Sequence, residues 1–165
     1  MNVRWNFHVN ATRRNDLTVF LATGFFSGFL PVAPGTWGTF AAVPLVMLVN
    51  KGSHISQLVS AIILMLMAVW LAGRAEKLLG TSDASCIVID EMAGFVISLL
   101  WLPLSFYTLC LGFVLFRGFD IVKPPPISTV EKRLQGGWAV VMDDVLAGVF
   151  ANITLRLLLI VAGLL

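Results

Sequence analysis

The chain has 165 residues, 58% of them hydrophobic and only 12% charged, with a mean hydropathy of +0.92 and a net charge of +2. A water-soluble domain of this length cannot bury so much apolar surface and still coat itself with polar groups, so that class is excluded and an integral membrane protein is expected. The expected architecture is all-α: a single membrane-embedded domain over 1–165, a polytopic bundle of about four to six transmembrane or re-entrant helices behind a cytoplasmic segment at 1–16.

Arg4, Arg13 and Arg14 precede the apolar run LTVFLATGFFSGFL. A signal peptide has similar parts, but PVAPGTWGT immediately beyond looks built for a specific backbone turn, so the segment is taken as part of the fold. Leu17 to Leu30 and Trp37 to Val49 are apolar and are separated by Pro31, Pro34 and Gly35. Each is shorter than the roughly 20 helical residues of a full span, which predicts a broken or re-entrant pair. Backbone of that kind must be covered by protein or line a wet cavity.

Ile55 to Gly73 reads as an uncharged span and Arg74 to Ala84 as a polar loop. Cys86 to Leu102 reads as a span carrying Asp90 and Glu91, placed a turn inside its apolar segment; Ser105 to Phe119 follows the break at Pro103. The polar stretch RGFDIVKPPPISTVEKRLQGGW comes next, with three prolines after Lys123 ending the helix. The last span is expected from about Ala139 to Leu164, with Asp143 and Asp144 near its start. Cys86 and Cys110 lie in apolar context and read as reduced packing residues.

The basic residues orient these spans. Arg4, Arg13 and Arg14 place the N-terminus in the cytoplasm, and successive crossings bring Arg74, Lys77, Arg117, Lys123, Lys132 and Arg133 back to that side. Asp83, Asp90, Glu91, Asp120, Asp143 and Asp144 then gather in the same layer.

Acids at a helix N-terminus can serve only as caps, contributing roughly 0.3–1 kcal/mol. Inserting one into hydrocarbon costs about 2.5–3.5 kcal/mol, more than capping returns, and two acid pairs therefore favour a site over a scaffold. Asp90, Glu91, Asp143 and Asp144 are the candidate catalytic and metal-ligating residues. Oxygen donors without a neighbouring histidine or cysteine suit a hard ion, Mg²⁺ above all, which commonly shares its shell with a substrate phosphate. Arg117, Asp120 and Lys123 share a helix face and are candidate substrate-binding residues, although a plain intrahelical salt bridge fits the same spacing. Gly94, three residues after Glu91, and Gly148, four after Asp144, would let two helices approach closely.

Other phosphatase chemistries lack their residues. Cys110 to Arg117 is one residue too long for Cys-x5-Arg, His8 and His54 lie away from the charges, and no Asp-x-Asp occurs. Metal-assisted hydrolysis remains.

The motifs GFFSGFLPVAPGTWGT, IVIDEMAGF, FRGFDIVKPPPI and LQGGWAVVMDDVLAG, in that order from about Leu21 to Ala151, resemble the phosphatidylglycerophosphatase A family. The resemblance implies a membrane-bound, magnesium-dependent enzyme of the bacterial inner membrane. Its substrate would be phosphatidylglycerophosphate, hydrolysed on the cytoplasmic side to phosphatidylglycerol and inorganic phosphate. Asp90, Glu91, Asp143 and Asp144 match the family's acidic motifs, and Asp120 and Lys123 match FDIVKP with Arg117 upstream. Pro34, Gly35 and Thr36 match the PGT turn, whose amides and Thr36 hydroxyl would hold phosphate oxygens, although a purely structural turn fits equally. The role of each acid and the oligomeric state are not implied. No nucleic-acid partner is expected. The rival class is a small ion- or proton-coupled transporter using the intramembrane acids, although such proteins place them near the midplane. Arg156 lies about 18 Å beyond Asp144 by helical rise, outside the site, and is expected to snorkel or mark a subunit contact. Asn152-Ile-Thr154 is read as an incidental glycosylation triplet.

Overall fold

The computed structural model describes residues 16–82, 84–131 and 134–165. Arg4, His8, Arg13, Arg14, Asp83, Lys132 and Arg133 lie outside the described residues. All regular structure in the described residues is helical.

The first apolar run forms a short helix, α1 (Leu17–Ala22), capped by the Asp16 side chain accepting from the Thr18 amide at 2.8 Å, and then a 3-10 turn at Ser27–Phe29. Helices α2 (Pro34–Ala41) and α3 (Val43–Asn50) follow almost end to end. Pro44 interrupts them because it lacks an amide hydrogen and its ring crowds the carbonyl four residues back. The expected broken pair is present.

Helix α4 (His54–Leu79) has 26 residues and α8 (Gly137–Val161) has 25. These are the two described helices long and apolar enough to cross a membrane, with mean hydropathies of 2.2 and 1.9 in their most apolar windows. Only 28% and 39% of those windows are buried, so most of each helix faces outward, as lipid-facing spans do and core helices of a soluble protein do not. The fold is that of a helical membrane protein.

Three boundaries differ from expectation. Arg74 to Leu79 is not loop: α4 continues through it to Gly80, whose φ of +71° ends the helix. Arg, Ala, Glu, Lys and Leu are all strong helix formers, so nothing stops the helix earlier. Cys86 to Leu102 is not a span. Its helix, α5, covers only Ile89–Ser98, ten residues or about 15 Å, half the thickness of a bilayer's hydrocarbon core. Finally, α6 (Phe106–Val122) runs one turn beyond Phe119 and ends at Lys123 in the left-handed region, ahead of the prolines. A short α7 (Ile127–Glu131) leads back toward α8.

Helix α5 is the centre of the molecule. Ile89, Met92, Ala93, Phe95, Val96 and Leu99 are all buried, and α5 packs on α2, α3, α4, α6 and α8. Beyond its acidic first turn it is mostly apolar and buried, because protein surrounds it. A helix ending inside an apolar interior must find partners for its last carbonyls. Asn152 donates to the carbonyls of Ile97, Ser98 and Leu100 at 3.4, 3.1 and 3.0 Å. Asn50 donates to those of Leu99 and Leu102, and Gln57 accepts from the Trp101 amide at 2.9 Å. Arg156 reaches the Leu100 carbonyl at 3.4 Å, so it faces the protein instead of snorkelling outward.

Candidate active site

The candidate acids gather at the N-terminal end of α5. Because Cys86 to Val88 is not helical, and the Val88 amide donates to the Ala22 carbonyl at 2.9 Å, the first helical turn begins at Ile89. Asp90 and Glu91 therefore sit in that first turn, not a turn inside an apolar helix as expected. Their burial is real but comes from α2, α6 and α8. Free amides and the positive end of the helix dipole favour negative charge there.

Carboxylate oxygens of Asp90, Glu91 and Asp144 all lie within 4.8 Å of one another. They open on a cavity of about 260 Å³, whose charged lining also includes Arg117, Asp120, Lys123 and Asp143. Five carboxylates thus face two cations, a balance that a partly dry site cannot hold without further positive charge or protons. The Arg117 Nη1 atom stands 2.5 Å from Asp120 Oδ2 and 3.8 Å from Glu91 Oε1, so one guanidinium ties the end of α6 to the start of α5. Lys123 donates to Asp143 Oδ2 at 2.6 Å.

The cluster's fitness for a metal ion rests on its own atoms. Glu91 Oε2 and Asp144 Oδ1 are buried without a hydrogen-bond partner. An unpaired buried carboxylate oxygen is expensive, and a hard cation shared by three such groups is the simplest remedy. Asp143 stands apart: adjacent to Asp144, it points to Lys123 and is not in the converging trio.

Close backbone approach builds this arrangement. A Cβ on Gly94 would meet the Asp144 carbonyl, and one on Gly148 would collide with the Gly94 carbonyl, so α5 and α8 cross glycine on glycine. A Cβ on Gly35 would strike the Glu91 carboxylate and crowd Arg117. Pro34 and Gly35 line the cavity, but Thr36 is not part of its wall, and the Thr36 amide is already donated to the Ala33 carbonyl at 2.9 Å. The sequence-derived candidates Asp90, Glu91, Arg117, Asp120, Lys123, Asp143 and Asp144 are therefore brought together, and Thr36 is not. Ser85 lines the same cavity and was missed; a lone loop serine carries no pattern that would mark it.

The family model of phosphatidylglycerophosphatase A matches residues 20–159. Phosphatidylglycerophosphatase A of Haemophilus influenzae is 38% identical over 136 residues, covering 81% of this chain and 83% of the relative. That of Escherichia coli K12 is 37% identical, covering 79% and 77%. A protein of Bacteroides thetaiotaomicron named putative phosphatidylinositol-3-phosphatase is 39% identical, covering 86% and 92%. No solved structure matches. With a converging acid cluster and matches over most of its length, the chain belongs to the phosphatidylglycerophosphatase A family and is a lipid phosphatase.

Proposed function

We propose that this protein hydrolyses the terminal phosphomonoester of phosphatidylglycerophosphate, releasing phosphatidylglycerol and inorganic phosphate in a Mg²⁺-dependent reaction. The observation that carries this reading is the convergence of Asp90, Glu91 and Asp144 in one cavity, with Glu91 Oε2 and Asp144 Oδ1 left unsatisfied.

Asp90, Glu91 and Asp144 would hold the ion. When bound, it would supply Lewis-acid polarisation of the phosphoryl oxygens and neutralise charge that develops on them. The chain's own groups do the rest. Arg117, fixed between Glu91 and Asp120, presents a planar donor set suited to phosphate oxygens. Lys123 and Asp143 form a charge-assisted pair on the same wall. Gly35 leaves room beside Glu91 where any side chain would intrude.

The reading includes a bacterial inner membrane location with the cavity on the cytoplasmic side. Among the described residues, Arg74, Lys77, Arg117 and Lys123 lie near the helix ends on the cavity side, whereas Lys51 lies in the opposite connection; that bias supports the orientation.

The test is phosphate release by purified protein in detergent micelles, with phosphatidylglycerophosphate and phosphatidylinositol 3-phosphate as competing substrates. Turnover should favour the first lipid, stop with EDTA and return on adding Mg²⁺. Turnover that persists in EDTA removes the metal, and preference for the inositol lipid removes the substrate assignment.

A further inference from the structure

The acid cavity, of about 260 Å³, shares wall residues with a neighbouring cavity. At Val140 and Asp143 it meets a second cavity of about 350 Å³, lined also by Ser82 and Gln135. That one shares Glu76, Ser82 and Gly136 with a third, of about 800 Å³, which runs along the end of α4 past Trp70, Arg74 and Lys77. We infer that these adjoining cavities join into one groove that forms the substrate's headgroup channel, and that Arg74 and Lys77 bind the phosphodiester that the enzyme does not cleave. The inference rests on the proposed substrate, which carries two phosphates joined by glycerol.

Length and chemistry both fit. The groove follows one side of α8 from Gly137 to Asp143, a rise of about 9 Å, comparable to two phosphates with their ligands on a three-carbon bridge. Gly137 permits the opening. A Cβ there would collide with the Val69 carbonyl and Gly73 amide, so α4 and α8 touch backbone to backbone just below Arg74. The outer cavity's charged lining is Arg74, Lys77 and Glu76, with Asp16 close to Arg74, a nearly even balance, whereas the inner end sets five carboxylates against two cations. An anion lacking a metal partner is therefore better placed at the outer end. Arg74 lies 5.4 Å from the Trp70 ring centroid, which holds its guanidinium at one place.

The lipid tails have a matching surface. Below Arg74, the outward side of α4 presents Trp70, Met67, Leu66 and Ile63, all exposed. A tryptophan and an arginine at the end of an apolar helix mark the membrane–water boundary, where a phospholipid's phosphodiester resides. Acyl chains would lie along α4 while the glycerophosphate enters the groove sideways.

The experiment compares wild type with the double variant Arg74→Gln/Lys77→Gln in detergent micelles of fixed composition. KM for phosphatidylglycerophosphate should rise about tenfold while kcat stays within about twofold, since the reacting phosphate is held elsewhere. Competitive inhibition by phosphatidylglycerol, which keeps only the phosphodiester, should weaken by a similar factor. Arg74→Lys/Lys77→Arg should restore most of the affinity. Unchanged KM, a loss confined to kcat, or absence of phosphatidylglycerol inhibition in wild type would each overturn the channel. Wild type inactive on phosphatidylglycerophosphate would instead defeat the substrate reading beneath it, and the channel with it.

Discussion

Gly94 and Gly148 meet at the crossing of α5 and α8 so closely that a Cβ on Gly148 would collide with the carbonyl of Gly94. Glu91 is one turn before the first of these glycines and Asp144 one turn before the second. The crossing therefore sets the spacing between carboxylates that lie far apart in the sequence.

Gly148→Ala should separate the helices by enough to feel at the acid trio. Overpacking of this kind typically destabilises by about 1–3 kcal/mol. Displacement of catalytic groups by about 1 Å can lower the rate about a hundredfold. Activity per folded molecule should fall more than thermal stability does, measured by phosphate release alongside a melting curve in the same detergent. A variant that melts lower but turns over normally per folded molecule would mean that the glycines serve packing alone.

Asp144→Asn removes a member of the trio, and near-complete loss of turnover is expected with the protein still in the membrane. Asp143→Asn tests a different role. Its carboxylate is bonded to Lys123 at 2.6 Å and stands outside the trio. Losing a supporting partner commonly costs about 10–100-fold in activity or metal affinity, so a partial loss is expected. Titrating Mg²⁺ against activity separates the two: residual Asp143→Asn activity should saturate, whereas added Mg²⁺ should not rescue Asp144→Asn.

Gly35→Ala and Arg117→Lys probe the other wall. A methyl group at residue 35 would push the Glu91 carboxylate and Arg117 off their positions. Lysine at 117 keeps the charge but lacks the planar guanidinium, whose remaining N–H groups could address phosphate oxygens while Nη1 stands between Glu91 and Asp120. Each change should lower kcat by at least about tenfold with modest effect on expression. Wild-type kcat in both variants would remove Arg117 from the reaction.

The acid cluster was legible in the sequence because charge is rare in this chain. Asp90, Glu91, Asp143 and Asp144 interrupt apolar runs, and an orientation based on basic residues put them in one layer. Their partners Arg117, Asp120 and Lys123 followed from helical spacing. What stayed hidden depends on tertiary cover. Cys86 to Leu102 reads as a membrane span because hydropathy cannot distinguish a helix surrounded by lipid from one surrounded by protein. The division of labour within the second acid pair was equally out of reach, since Asp143 and Asp144 differ only in which way adjacent side chains leave α8. Thr36 was expected at the site because its turn matches a motif, yet only the neighbouring Pro34 and Gly35 reach the cavity wall.

Asn152 was the residue most misjudged, since its sequence context suggested only a chance glycosylation triplet. Its amide donates to three carbonyls at the C-terminal end of α5 while the candidate acids occupy the other end. A ten-residue helix with its last turn in apolar surroundings has few ways to stay in register. Asn152→Leu, similar in size but without donors, leaves the Ser98 carbonyl without its donor and the Ile97 and Leu100 carbonyls with only their bonds from the Leu100 amide and Arg156, respectively. A buried group left unsatisfied costs about 1–3 kcal/mol, so a clear drop in melting temperature is expected. Arg156→Met should do much less: its contact with Leu100 is long at 3.4 Å, and the same carbonyl already accepts from Asn152 at 3.0 Å. If α5 positions the acids, Asn152→Leu should also raise the Mg²⁺ concentration needed for half-maximal activity at a temperature where the variant is fully folded. An unchanged Mg²⁺ requirement would confine Asn152 to stability and leave the placement of Asp90 and Glu91 to the glycine crossing and Arg117.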